Sequence, residues 1–416
     1  MRRPGSAVAA AAALLLASAH PAQAAVPTHV QTFLFWGVNG TPKGEPTVST
    51  REAAKWVTWG MSSPHDSNQL AAAGIKMIFY TNPNRVFRKS KFLYTPDESE
   101  FAHDCSGNRI TVRGRANQFL TDPASATLVR AWRDEVQDAQ KHGQFAAIFD
   151  DTAVSTGLIS SLPCGFDPNV WIFEHVVLIS ALDSPVLFNG LGDGQLAVSG
   201  RRGPDAGYGM SPVVELAASR SAIGGSFEDC YVSPDRDNGF GKTVNAYWRR
   251  TEETENAMAR LGKLFVCNER VDRKPMDAAY DMRAYAEASM LLTYDPASTI
   301  VRQQFQTPSW FNLGPEMELV PMSPVQPAPD AVDALRTPGG TYAREYRDCY
   351  IAGSPVGPCA AVVNPDSHDA HAFPYSAYHH TMTLQGSGII DGGQIGISGP
   401  APPSMLAPMT GVVVFQ

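Results

Sequence analysis

Gln144-Phe145-Ala146-Ala147-Ile148-Phe149-Asp150-Asp151 decides the reading of this chain. Five apolar residues run without a break and stop at two carboxylates. A run of that length without alternation fits a strand covered on both faces, as in a parallel sheet. Parallel strands of α/β enzymes carry their chemistry at the C-terminal ends, where the loops open to substrate. Asp150 and Asp151 therefore stand where a catalytic or binding acid belongs. The competing reading is an N-cap for the segment that follows.

Outward from this run, the same pattern recurs. Thr32–Gly37 reads as a first strand and Ser49–Trp59 as a helix. Ile75–Tyr80 reads as a second strand. A long excursion over 86–115 leads to a weak third strand at Phe119-Leu120. The opening run is the fourth strand. Pro185–Gly190, Ile223–Cys230, Lys263–Glu269 and Ser298–Val301 are the fifth to eighth, with helices between them. One strand and one helix about every 40 residues predicts an α/β fold, a (β/α)8 TIM barrel. No GxGxxG turn follows the first strand, which disfavours a dinucleotide-binding sheet.

The composition changes near Glu318. Val320–Pro329 is a Pro-rich connection, and short strands between Gly, Pro and Asn turns follow. Residues 25–318 are expected to form the barrel and 319–416 a small all-β, sandwich-like domain. Residues 1–24 read as a cleavable signal peptide. Arg2 and Arg3 precede a short apolar stretch, and Ala22-Gln23-Ala24 is a small-x-small site, so cleavage is expected after Ala24. The chain is thus read as secreted or periplasmic, with no membrane span. A net charge of −8 and few basic runs argue against a nucleic-acid partner.

Six cysteines in an exported chain favour disulfides, and no CxxC spacing supports structural zinc. Fifteen connectivities are possible. Cys349 and Cys359 are close enough to pair locally, Cys230 and Cys267 fall on consecutive strands, and Cys105 and Cys164 remain.

In a barrel the strand ends converge on one rim. Here they carry Trp36, Tyr80, Asn82, Asp122, Asp150, Asp151, Asn189, Glu228, Asp229 and Glu269. Aromatic faces stack on sugar rings, while carboxylates and amides bond their hydroxyls. Two carboxyls flanking a bond are the apparatus of glycoside hydrolysis. Asp150 and Glu228 each follow an apolar residue, and their strands are two apart around the barrel. Asp150 is expected as nucleophile or base and Glu228 as general acid. Trp36, Tyr80, Asn82, Asp122, Asp151, Asn189, Asp229 and Glu269 are expected to bind substrate. For Asp122, before Pro123, capping is the competing reading. The chemistry requires no organic cofactor. No GxSxG elbow is present. Asp366–His371 and His379-His380 read as turn residues of the β region rather than metal ligands.

Ala147–Asp151, Ser226–Asp229, Tyr342–Tyr346 and Ala361–Pro365 together resemble motifs of glycoside-hydrolase-like TIM-barrel proteins with a C-terminal β module, a bacterial group of uncharacterised activity. The resemblance extends in layout over nearly the whole mature chain, including closing strands at Pro402–Pro408 and Val412–Phe415. It implies a carbohydrate substrate and carries over Asp150 and Glu228. Barrels related to α-galactosidases also place acids after strands four and six. Both are aspartates there, whereas Glu228 stands at the second position here. A non-catalytic carbohydrate-binding barrel is the alternative, and a structural or adhesion protein a third reading.

Overall fold

The computed structural model describes residues 26–35, 49–87, 97–112, 115–153, 159–192, 214–235, 239–271, 279–305, 313–386 and 388–416. Eight parallel strands close into a barrel. They are β1 (Gln31–Phe35), β2 (Trp59–Met61), β3 (Lys76–Thr81), β4 (Ala147–Asp150), β5 (Val186–Asn189), β6 (Ala222–Glu228), β7 (Leu264–Val271) and β8 (Thr299–Phe305). Each pairs with its sequence neighbours, and β1 pairs with β8 to close the ring. The expected signal peptide and its cleavage site lie outside the described residues. Among the described residues, no helix is long and apolar enough to cross a membrane.

The predicted count of eight is correct, but one predicted strand is not in the barrel and one barrel strand was not predicted. The second barrel strand is Trp59–Met61, at the end of what reads as a helix. The helix there, α1 (Thr50–Ala53), is one turn capped by Ser49, whose hydroxyl accepts from the Glu52 N–H at 3.1 Å. The predicted second strand is therefore β3. Phe119-Leu120 is not in the barrel at all. It belongs to a three-stranded antiparallel sheet of 85–87, 111–112 and 115–120, inserted after β3. The two displacements cancel, so β4 to β8 keep their predicted places.

Two apolar layers show which way each strand residue points. Phe33, Trp59, Met61, Ile78, Ala147, Phe149, Leu187, Val266 and Ile300 form one cluster, the filling of the barrel. Ile148, Val186, Phe188, Phe227, Phe265 and Val301 belong to the outer cluster. There they pack with residues of the helices α3 (Ala126–His142), α4 (Pro168–Ser180), α6 (Asn245–Arg260) and α7 (Tyr280–Thr293), while α2 (Pro64–Ala72) and α5 (Val214–Ala217) are shorter. Because successive side chains on a strand face opposite ways, these memberships fix the facing of every residue up to the rim.

The C-terminal region is all-β. Strands β9 (Leu319–Pro324), β10 (Tyr342–Ile351), β11 (Ser354–Asn364), β12 (His380–Thr381) and β13 (Thr410–Phe415) form an antiparallel sheet in the order β9-β10-β11-β13-β12. Two small two-stranded ladders accompany it. The sheet lies on α7. Tyr346 Oη donates to the Leu291 carbonyl at 2.5 Å, and Arg344 donates to the carbonyls of Leu292 and Tyr294 at 3.1 and 3.2 Å. Gly411 makes this approach possible, since a Cβ there would lie 2.9 Å from Tyr285 Cα. The three disulfides are Cys105–Cys164, Cys230–Cys267 and Cys349–Cys359, so the cysteines pair off in the order they occur in the sequence.

Candidate active site

Alternation divides the Asp150-Asp151 pair. Ala147 and Phe149 face into the barrel, so Asp151 continues that line into the mouth. Ile148 faces the helices, and Asp150 follows it into the wall, where it is 0% exposed. The mouth is built around Asp151. Tyr80 Oη donates to its Oδ2 at 2.5 Å, Asn82 Nδ2 to the same oxygen at 3.3 Å, and Asn189 Nδ2 to Oδ1 at 2.8 Å. Three converging donors suit an ionised carboxylate, which only accepts. Burial first, and then the Asp151 charge, push the Tyr80 hydroxyl well above its ordinary range, so Tyr80 stays a donor. Its ring stacks on Phe149, with centroids 6.0 Å apart.

Asn189 joins the second acid to the first. The same Nδ2 donates to Glu228 Oε1 at 2.9 Å. Asp151 Oδ1 and Glu228 Oε1, both within hydrogen-bond reach of one nitrogen, are therefore less than about 6 Å apart. Glu228 faces inward because the β5–β6 register shifts between Val186 and Leu187, after which Leu187 pairs with Gly224 and Asn189 with Ser226. Asn268 pairs with Glu228 across β6–β7, and Arg302 pairs with Asn268 across β7–β8, so both share its inward facing. Among the described residues, the buried amide oxygens of Asn189 and Asn268 have no donor.

Of the sequence-predicted residues, Tyr80, Asn82, Asp151, Asn189 and Glu228 come together in this mouth. Trp36 lies outside the described residues. Asp229 follows Glu228 in left-handed backbone at φ 59, beyond the strand's alternation. Asp122 is displaced with its strand into the inserted sheet. Its Oδ1 accepts from the Ala124 N–H at 3.0 Å in the turn ahead of α3, whose N-cap is Ser125 rather than Asp122. Glu269 is one residue past inward-facing Asn268 and so points into the wall. There Gln303 Nε2 donates to it at 3.4 Å and to Glu316 at 2.7 Å, and burial pushes the Glu269 carboxyl up to about 8.

Asp150 has its own surroundings behind the wall. Its Oδ1 accepts from Asn84 Nδ2 at 2.7 Å. Burial pushes its carboxyl up to about 8, against the lowering effect of Asn84 and with the Asp151 charge. Asn84, His175 and Thr152 went unrecognised in the sequence. Thr152 is β-branched at φ 56, an uncommon conformation for such a residue, and its Oγ1 donates to Asn82 Oδ1 at 3.1 Å. That contact orients the Asn82 amide so that its nitrogen faces Asp151. Among the described residues, the single grouping with metal-ligand proximity is Cys230, Cys267 and Glu269, and both of its sulfurs are bound in the disulfide.

No family model matches the chain, and no curated protein matches it. Solved structures similar to it include the glycoside hydrolase domain of PelA from Pseudomonas aeruginosa, at 15% identity and TM-score 0.42, over 66% of this chain and 95% of that one. Aspergillus fumigatus Ega3 in complex with galactosamine is similar at 10% identity and TM-score 0.41, over 67% of this chain and 92% of that one. An Anoxybacillus α-amylase is similar at 10% identity and TM-score 0.44, over 92% of this chain and 97% of that one.

Proposed function

We propose that this chain is a secreted glycoside hydrolase that cleaves a poly- or oligosaccharide with retention of anomeric configuration. Asp151 is the nucleophile and Glu228 the general acid and base. The observation that carries this reading is the shared Asn189 amide. It holds one oxygen of each acid less than about 6 Å from the other, a spacing compatible with the roughly 5–5.5 Å between the carboxyl groups of a retaining pair.

Glu228 delivers a proton to the leaving glycosidic oxygen while Asp151 attacks the anomeric carbon from the opposite side. The C–O bond to the aglycone breaks as the Asp151–carbon ester forms. Glu228, now ionised, takes a proton from water, and that water displaces Asp151. Tyr80, Asn82 and Asn189 use three of the roughly four lone-pair directions of the Asp151 carboxylate and leave one for attack. The orphaned amide oxygens of Asn189 and Asn268 are acceptors suited to sugar hydroxyls. Complete pairing of the cysteines supports an oxidising destination, as does the N-terminal segment ending at Ala24. The mature enzyme would comprise a barrel over 25–318 and a β region over 319–416.

The test is hydrolysis of a panel of glycans and aryl glycosides by the mature protein, with the first-formed anomer read by proton NMR. Retained configuration is the expected result, and inverted configuration would overturn the assignment. Glycan binding without cleavage would favour a carbohydrate-binding barrel instead.

A further inference from the structure

Asp150, Asn84 and His175 lie behind the barrel wall, all nearly inaccessible, and Asn84 donates to the backbone carbonyl of Asp151. We propose that they form a relay that positions Asp151, with His175 held as an imidazolium whose counter-charge is Asp150, two hydrogen bonds away through the Asn84 amide. The positioning role rests on the reading of Asp151 as nucleophile; the charge state of His175 does not.

Hydrogen-bond roles fix the protons. Asn84 Nδ2 lies 2.7 Å from Asp150 Oδ1 and 2.8 Å from the Asp151 carbonyl oxygen. A carbonyl oxygen only accepts, so Asn84 must present its NH2 group to this pair. Turning the amide over would set oxygen against oxygen at the Asp151 carbonyl. Asn84 Oδ1 is thereby directed at His175, 3.0 Å from Nε2. An amide oxygen also only accepts, so Nε2 carries a hydrogen. The other ring nitrogen, Nδ1, lies 2.8 Å from the Trp171 carbonyl oxygen, again an acceptor, so it too carries one. A ring that donates from both nitrogens is an imidazolium.

Burial acts against this charge taken alone. It pushes the His175 ring down to about 4, just as it pushes Asp150 up to about 8. Taken together the two charges cancel, and the amide between them donates to Asp150 Oδ1 and accepts from His175 Nε2. The Trp171 ring packs against the His175 ring, with centroids 5.2 Å apart and planes tilted by 57°. A neutral His175 would instead turn a lone pair toward Asn84 Oδ1 at 3.0 Å, with no proton between them.

The relay acts on Asp151 through the main chain. Asn84 holds the Asp151 carbonyl, and the Asp151 N–H donates to the Thr81 carbonyl at 3.0 Å. With both sides of the residue fixed, its side chain has one path into the mouth. Asp150 is thus a positioning residue and not a catalytic one.

The test has two arms. In the first, nitrogen-15 NMR of histidine-labelled wild-type protein at pH 7 reads the ring of His175, assigned through its contact with the Trp171 ring. Both nitrogens in the protonated region is the expected result; one in the unprotonated region overturns the imidazolium. No substrate or variant is needed, so this arm stands whatever becomes of the hydrolase reading. In the second, Asp150→Asn keeps an acceptor for Asn84 but removes the counter-charge. On a substrate found in the panel, kcat is expected to fall about 10- to 100-fold with KM within about twofold, as for a misplaced reacting group. An unchanged kcat, or a loss confined to KM, overturns the positioning role. If Asp150→Asn does not fold, His175→Gln, which offers an amide donor without charge, takes its place with the same expected split.

Discussion

At the end of β4 the inward acid comes second in its pair; at the end of β6 it comes first. Asp151 stands in the mouth with Asp150 behind it, whereas Glu228 stands in the mouth with Asp229 beyond it. The residue types at the two ends are nearly the same, so they do not decide which acid enters the mouth. The facing of the apolar residues before them does. Both inward acids are followed by a non-glycine residue in left-handed backbone, Thr152 at φ 56 and Asp229 at φ 59, a conformation that costs about 1–3 kcal/mol and persists only where neighbours enforce it. The means of enforcement differ. The β4 end is held by hydrogen bonds, from Asn82, Asn84 and Tyr80. The β6 end is held covalently, because Cys230, two residues after Glu228, is joined to Cys267 on β7.

The largest expected effect tests the division within each pair. Asp151→Asn and Glu228→Gln should each lower kcat by about 1,000-fold or more in steady-state assays, while Asp150→Asn loses far less. Equal losses for Asp150→Asn and Asp151→Asn would remove the distinction. The next tests the covalent support. Replacing Cys230 and Cys267 by serine opens a loop of 37 residues and should destabilise the chain by about 3–4 kcal/mol in chemical denaturation. It should also lower kcat more than loss of Cys349–Cys359, which lies in the C-terminal sheet. Tyr80→Phe removes one charge-assisted hydrogen bond to Asp151 and should lower kcat about 10-fold, leaving denaturant midpoints nearly unchanged.

The smallest expected effect on activity concerns the wall acids away from Asp150. Glu255 and Glu269 are fully buried, and burial pushes their carboxyls from an ordinary 4.5 up to about 7 and about 8. The folded chain then keeps protons that the unfolded chain releases. Their contribution to stability is complete below about pH 4.5 and declines as pH rises until the folded values are passed, by up to about 1.4 kcal/mol per pH unit for each group. Urea midpoints should therefore fall between pH 5 and about pH 8. Glu269→Gln should flatten that fall and leave hydrolysis intact; an unchanged pH profile of stability would contradict the buried, protonated state.

The barrel, the disulfide pairs and most of the rim were legible in the sequence because each depends on local pattern. Apolar runs end in polar residues, helices intervene, and the cysteines pair off in order along the chain. The choice between Asp150 and Asp151 was not. Phe145 to Phe149 is apolar throughout, and a strand buried on both faces carries no alternation to read. Only the separation of Phe149 into the barrel filling and Ile148 into the helix layer reveals it. The same gap drew attention to Glu269 in place of Asn268. Asn84 and His175 left no signal because they are 91 residues apart and meet only in the fold. Trp59–Met61 was hidden by its three-residue length at the end of a helical pattern.

The most direct measurement of the central claim is covalent labelling. The mature protein, once a cleaved glycoside is known, is inactivated with the 2-deoxy-2-fluoro glycosyl fluoride of the same sugar, digested, and the modified residue located by mass spectrometry. A single glycosyl ester on Asp151 is the expected result. An ester on Asp150 would contradict it, since that carboxyl would then have to face the mouth and the assigned facing of β4 would be reversed.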